Sequence, residues 1–243
     1  MRAIVSALLL LIVIVPSALF AQIHELPTAA NMKVLGLVGG TSWHSTVEYY
    51  RYINQEVNDL YGSNTNPPLV LYNLNQNEIH ALQLSGRWDQ ITDILSEAAM
   101  KLRAAGAQAV MFCANTPHKV YADVSRRTGI PILHIADATG LAIHKAGLTK
   151  VGLIGTKYTM EDGFMQQWLR EHYQVEVVVP TSAAIRTELR RIIQKEFGMG
   201  IFKPETKHYV LDQIEPWTQA PRGTNSGVTS GTIAHSAALE SAG

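Results

Sequence analysis

Two stretches far apart in the chain share one pattern, and that pattern restricts the fold more than any other feature. Lys33-Val34-Leu35-Gly36-Leu37-Val38-Gly39-Gly40 is a short apolar run ending in a glycine turn, and Lys150-Val151-Gly152-Leu153-Ile154-Gly155-Thr156 repeats its arrangement of apolar residues and glycines. An apolar run of this length reads as a strand buried on both faces, the kind found in parallel sheets. Each run is succeeded by helical spacing and then by further strand signals. Strands alternating with helices imply an α/β fold with a parallel sheet. A chain that starts such a series twice is expected to form two pseudo-symmetric doubly wound units. Ligands of such sheets sit beyond the carboxyl ends of the strands, so the natural site is the cleft between the units.

Within the first series, Val47, Tyr50, Ile53, Val57 and Leu60 give helical spacing from Thr46 to Leu60, and Leu69 to Tyr72 reads as a second strand. Arg87 to Ala104 is an amphipathic helix, with strands after it at Ala109 to Cys113 and Ile130 to Ile135. In the second series a helix carries Phe164, Trp168 and Leu169, a strand spans Val175 to Val179, and a further helix runs from Ala184 to Phe197. A last helix covers Pro204 to Trp217. A buried strand should come next by analogy, but Thr218-Gln219-Ala220-Pro221-Arg222-Gly223-Thr224-Asn225-Ser226-Gly227 has the composition of a flexible tail. The expected layout is a first α/β unit at 32–140, a second, incomplete unit at 141–217 and a low-complexity tail at 218–243.

The N-terminal stretch reads as a signal peptide at 1–21, with Arg2 before an apolar run from Ala3 to Val15, and then a linker at 22–31. Export to the periplasm is expected if that leader operates, with a membrane contact only if it stays uncleaved. Translation from Met32 instead implies a cytoplasmic protein. Twenty basic and 20 acidic residues cancel and are scattered, which argues against a nucleic-acid partner. A single cysteine allows no intrachain disulfide, and no Cys/His cluster has metal-ligand spacing.

That cysteine, Cys113, sits where the strand Ala109-Val110-Met111-Phe112 runs into Ala114-Asn115-Thr116-Pro117-His118. Thr116 fits a helix N-cap and Pro117 the first helical position. A thiol at such a junction lies near unpaired backbone N–H groups and the positive end of a helix dipole, which favour the thiolate. A lone cysteine also reads as a small core residue, but a core strand has no need of the polar sequel. His118 reads equally as an aid to proton traffic near Cys113 and as a packing residue. It is too close in sequence to make a convincing Cys–His hydrolase pair. His134 and Asp137 belong to a strand-to-helix junction, with capping the expected job of Asp137.

Four segments in order resemble the aspartate/glutamate racemase family of amino-acid racemases, most closely its broad-specificity branch. They are Gly39-Gly40-Thr41-Ser42-Trp43-His44-Ser45-Thr46, Cys113-Ala114-Asn115-Thr116-Pro117-His118-Lys119, Leu133-His134-Ile135-Ala136-Asp137-Ala138-Thr139 and Gly155-Thr156-Lys157-Tyr158-Thr159-Met160-Glu161. The resemblance implies a two-unit α/β fold, a small-molecule amino-acid substrate, no cofactor and no metal; dimers are common in that family, and whether this chain forms a homodimer is left open. Racemisation removes a weakly acidic α-proton and returns one to the opposite face, so two acid/base groups must flank the α-carbon. Cys113 matches the first of the family's two catalytic cysteines. Gly40, Thr41, Ser42, Asn115 and Thr116 are then expected to hold the substrate carboxylate, with Thr156 and Thr159 lining the other side. Arg186 lies where the family usually carries a cation for a side-chain carboxylate. Each also has an ordinary reading: a tight βα turn, a cap, or, for Arg186, a solvated surface charge.

The family's second cysteine lies in a Gly-Cys-Thr-Glu motif that this chain lacks. The abrupt change after Trp217 is what a shifted reading frame would leave, and impaired racemisation is the expectation. The competing readings are an exported two-lobed amino-acid or carboxylate binder and a non-functional, degenerate racemase.

Overall fold

The computed structural model describes residues 31–218; the expected leader, nearly all of the linker and the tail beyond Thr218 lie outside the described residues. The first series forms a four-stranded parallel sheet from β1 (Leu35–Gly39), β2 (Leu69–Asn73), β3 (Ala109–Phe112) and β4 (Ile132–Leu133), in the order β2-β1-β3-β4. β1 is central, with Gly36 opposite Val70 on one side and Val110 on the other. Between the strands run α1 (Trp43–Tyr61), α2 (Gln76–Leu84), α3 (Trp88–Ala104) and α4 (Tyr121–Thr128), the last preceded by a 3₁₀ turn at Thr116–Val120.

The second series continues as α5 (Ile135–Lys145), β5 (Lys150–Gly152), α6 (Lys157–Glu161), α7 (Phe164–Tyr173), β6 (Glu176–Val178), α8 (Ala183–Lys195) and α9 (Pro204–Thr218). Among the described residues its sheet holds β5 and β6 alone, again parallel, with Val151 opposite Val177. The restart read from the two glycine-bearing runs is therefore present as two parallel sheets with helices.

Each unit has its own core. In the first, Ile91, Leu95, Ala98 and Leu102 of α3 pack on Val38, Val110 and Phe112 of the sheet, as the apolar stripe of α3 requires. In the second, Met165 and Leu169 of α7 pack on Val151, Leu153 and Val175, joined by Ala136 and Ile143. These last two belong to α5, so the hydrophobic division falls near His134, ahead of the expected boundary at 140.

Helix α1 departs from its reading. It begins at Trp43, capped by Ser42, whose side chain accepts from the Ser45 N–H. Its expected core face is open, with Val47 51%, Tyr50 52% and Leu60 71% exposed. The helix is anchored instead by buried Ser45 and Thr46. Periodicity identifies residues that share a face, but it does not say what covers that face.

Candidate functional site

The C-terminal ends of β1 and β3 meet the start of α6 in a cleft between the two units. Thr41 and Ser42 from the β1–α1 turn, Asn115 and Thr116 from the turn after β3, and Thr156 from the turn after β5 all line it. This convergence is a consequence of the parallel sheets, whose connections leave from the same edge.

The β1 turn is built by its own helix. The Gly40 N–H donates to Thr46 Oγ1 at 3.0 Å, and the same hydroxyl donates to the Ser42 carbonyl at 3.0 Å. Gly40 has φ +86°, and a Cβ there would lie 2.1 Å from the Leu74 carbonyl oxygen, so only glycine fits this close approach. Ser45 Oγ then donates to the Cys113 carbonyl at 2.9 Å, tying α1 to the end of β3.

Cys113 itself is buried at 2% exposure, directly before the cleft-lining Ala114 and Asn115. Burial pushes its thiol up to about 12, so the resting residue is a thiol at neutral pH. This corrects the expected thiolate. Asn115 leads into the five-residue 3₁₀ turn, not into a long helix with a strong dipole. It stands at the N-cap position of that turn without a side-chain cap bond, and its buried Oδ1 has no hydrogen-bond partner. Thr116 Oγ1 lies 3.0 Å from Thr156 Oγ1, a direct link between the two units. Thr156 caps α6, accepting from the Thr159 N–H, and its hydroxyl also lies 3.0 Å from Thr159 Oγ1. Thr159 is fully buried behind Thr156, not on the cleft wall.

His118 is a packing residue with a fixed tautomer. Its Nδ1 donates toward the Ala114 and Asn115 carbonyls at 3.0 and 3.2 Å, while Nε2 accepts the Ile135 N–H at 3.2 Å. Burial first, and then neighbouring His134, push its pKa down to about 3. The ring thus holds the backbone of the Cys113 loop as a neutral imidazole. His134, not Asp137, caps α5 by accepting the Ala136 N–H. Its ring stacks on Trp168 of α7 at 3.8 Å. Asp137 instead accepts from Trp168 Nε1 and from the Tyr173 hydroxyl.

Arg186 does not reach the cleft. Its guanidinium donates to Glu161 Oε1 at 2.9 Å and to the Pro180 and Thr181 carbonyls at 2.8 Å. Another basic side chain reaches the site from a different element. His80 of α2 lines the cleft, and burial and then the Lys195 charge hold its pKa below the ordinary histidine range. Gln83, one turn further along α2, also lines it, and its carbonyl accepts from the Tyr158 hydroxyl at 2.8 Å. Sequence reasoning missed α2 altogether. Its signal was Asn75, which caps the helix by accepting the Asn77 N–H, with Glu78 in the first turn. Among the described residues no cluster of His, Cys, Asp or Glu has the placement to hold a metal ion.

The Asp/Glu/Hydantoin racemase family model matches residues 38–221, most of the chain. The chain belongs to the Asp/Glu/Hydantoin racemase family. The structure of a candidate Asp/Glu racemase from Yersinia pestis is 37% identical, with a TM-score of 0.70, and the match covers 87% of this chain and 99% of that one. An aspartate racemase homologue from Pyrococcus horikoshii is 32% identical, with a TM-score of 0.66 and the same shares covered. A glutamate racemase from Francisella tularensis, solved in complex with D-glutamate, shares the fold at 12% identity and a TM-score of 0.51, over 87% of this chain and 80% of that one. The two-unit α/β architecture and the inter-unit cleft agree with membership of the racemase family.

Proposed function

We propose that this protein exchanges the α-proton of an amino acid without a cofactor, with Cys113 as the acid/base group. The observation that carries the reading is the cleft itself. The only cysteine directly follows β3 and precedes Ala114, Asn115 and Thr116, which line the cleft together with Thr41, Ser42 and Thr156. A carboxylate placed there meets hydroxyl and backbone donors from three turns, which is the arrangement an enolate-like transition state needs. The unpartnered Asn115 Oδ1 is a buried acceptor suited to the substrate ammonium. His80 adds an imidazole to the cleft wall, a polar contact available to the substrate side chain.

In the reaction the ammonium and the cleft donors favour loss of the thiol proton to solvent, the thiolate takes the α-proton, and the thiol so formed returns a proton to carbon. With one sulfur base, return to the original face is favoured over return to the opposite face. Isotope exchange should therefore run ahead of racemisation. The raised thiol pKa favours a second reading, a carboxylate binder that never ionises Cys113.

Incubating each enantiomer of aspartate and glutamate with the protein in deuterated buffer decides between them. Deuterium is expected at Cα of one enantiomer faster than optical rotation decays, and Cys113→Ser should reduce exchange by about 10²–10⁴-fold. Binding that survives the substitution, with no exchange by the native chain, establishes the binder and overturns the enzyme.

A further inference from the structure

A buried tyrosine hydroxyl on α1, one turn from the residue that bonds the Cys113 carbonyl, has no role in the chemistry above. Tyr49 stands one helical turn after Ser45, on the same face of α1. That face is fixed onto the end of β3, since Ser45 Oγ donates to the Cys113 carbonyl at 2.9 Å. The Tyr49 hydroxyl is out of contact with solvent and makes no hydrogen bond. A buried hydroxyl without a partner is costly, and folded proteins keep few of them.

We propose that Tyr49 is a positioning residue for the Cys113 thiolate, its idle O–H turning to the sulfur, directly or through one water, when the thiol ionises. The proposal rests on the thiolate chemistry of the preceding subsection. The sulfur is the group in this neighbourhood whose charge changes during that reaction, and a hydrogen bond to a charged acceptor is about twice as strong as one between neutral groups. Burial raises the Tyr49 pKa above its ordinary value, and the Cys113 charge pushes it the same way. The phenol therefore keeps its proton while the thiol loses one, and it remains a donor in the state where a donor is useful. In the resting protein no hydrogen bond joins the two groups, and a neutral thiol would be a weak acceptor.

The single cysteine makes the test direct, because alkylation of the full-length chain by iodoacetamide reports one site. Alkylation tracks the thiolate fraction, so at pH 9 Tyr49→Phe is expected to slow it about tenfold. Replacing Tyr49 with 3-fluorotyrosine, a stronger donor of nearly the same shape, is expected to accelerate it. A residue that merely fills space gives the opposite pattern. Tyr49→Phe would then leave the rate unchanged or, by loosening the packing, raise it, and fluorination would have no effect. Either result overturns the proposal. Should Tyr49→Phe fail to fold, the fluorotyrosine protein decides alone, an unchanged rate counting against the idea. Alkylation requires no turnover, so its outcome is separate from that of the exchange assay.

Discussion

β1 and β5 open the two units with nearly the same residues, yet they live in different surroundings. β1 lies between two strands, and Gly36 to Gly39 are all buried. A Cβ at Gly36 would lie 3.0 Å from Ala107 Cβ and Val110 Cγ1 and 3.1 Å from Leu102 Cβ, so sheet and helix close tightly over it. β5 has one neighbour among the described residues, and Gly152 is half-buried. The same test at Gly152 meets the Trp217 ring at 2.1 Å. One glycine is required by a packed sheet and the other by a single aromatic ring from α9. A shared local pattern thus specifies the strand and its turn, while its burial is set by which later elements return to it. The first unit supplies most of the residues that line the cleft. The second contributes a wall.

The turns after these strands sharpen the contrast. The first has an extra glycine, Gly40, where the second passes from Gly155 directly to Thr156. Gly40→Ala forces a side chain into a left-handed backbone and against the Leu74 backbone, whose N–H donates to the Gly39 carbonyl at 3.0 Å. Adding the strain to the overpacking gives a loss of about 4 kcal/mol. Urea unfolding should register it, together with a loss of ligand binding. A change below the cost of an ordinary surface substitution would show that the two turns are equivalent after all.

A smaller effect tests the junction where the first unit's thiol loop rests on the second. His118 has a folded-state pKa of about 3, below the ordinary value of about 6.5. As pH falls, the unfolded chain takes up a proton that the folded protein refuses. Stability is therefore unaffected above pH 6.5 and declines from there down toward pH 3. Between pH 7 and 5 the loss attributable to His118 is about 2 kcal/mol. His134, pushed down to about 4 chiefly by burial, acts in the same direction. Denaturation curves at those two pH values should show the decline. In His118→Gln, which retains an amide donor, the slope should fall by the His118 share, leaving that of His134 and His80.

Much of this molecule is readable from its residues, and the failures have a common cause. The glycine-bearing runs announce β1 and β5 because continuous apolar strands bounded by glycine have few alternatives. The placement of Asn115, Thr116 and Thr156 along one cleft is legible because strand-to-helix turns bring their residues to one edge of a parallel sheet. Arg186 failed because a position in the chain fixes the start of a helix but not the partner of a long side chain, and Glu161 and two carbonyls were nearer. Asp137 does not make the cap expected of it because His134 supplies that cap, both standing within reach of the same helix end. His80 was missed with its helix, where only Ile79 and Gln83 are buried and the apolar period is weak. Each of these depends on tertiary contacts that no local spacing encodes.

The smallest expected effect asks whether the two turns work as a pair. Thr116 and Thr156 come from different units and share one hydrogen bond across the cleft, while Thr156 and Thr159 share another within the second unit. Replacing each threonine with valine keeps the shape and removes the hydroxyl. A double-mutant cycle on Thr116 and Thr156 should give a coupling of about 1 kcal/mol, the worth of one buried hydrogen bond. The cycle also cancels the loss of the α6 cap that Thr156→Val causes by itself. If the units merely adjoin, this coupling vanishes while that of Thr156 with Thr159 persists. If the bond closes the cleft, the inter-unit coupling should rise when ligand is present, because the ligand then favours the arrangement that brings the two hydroxyls together.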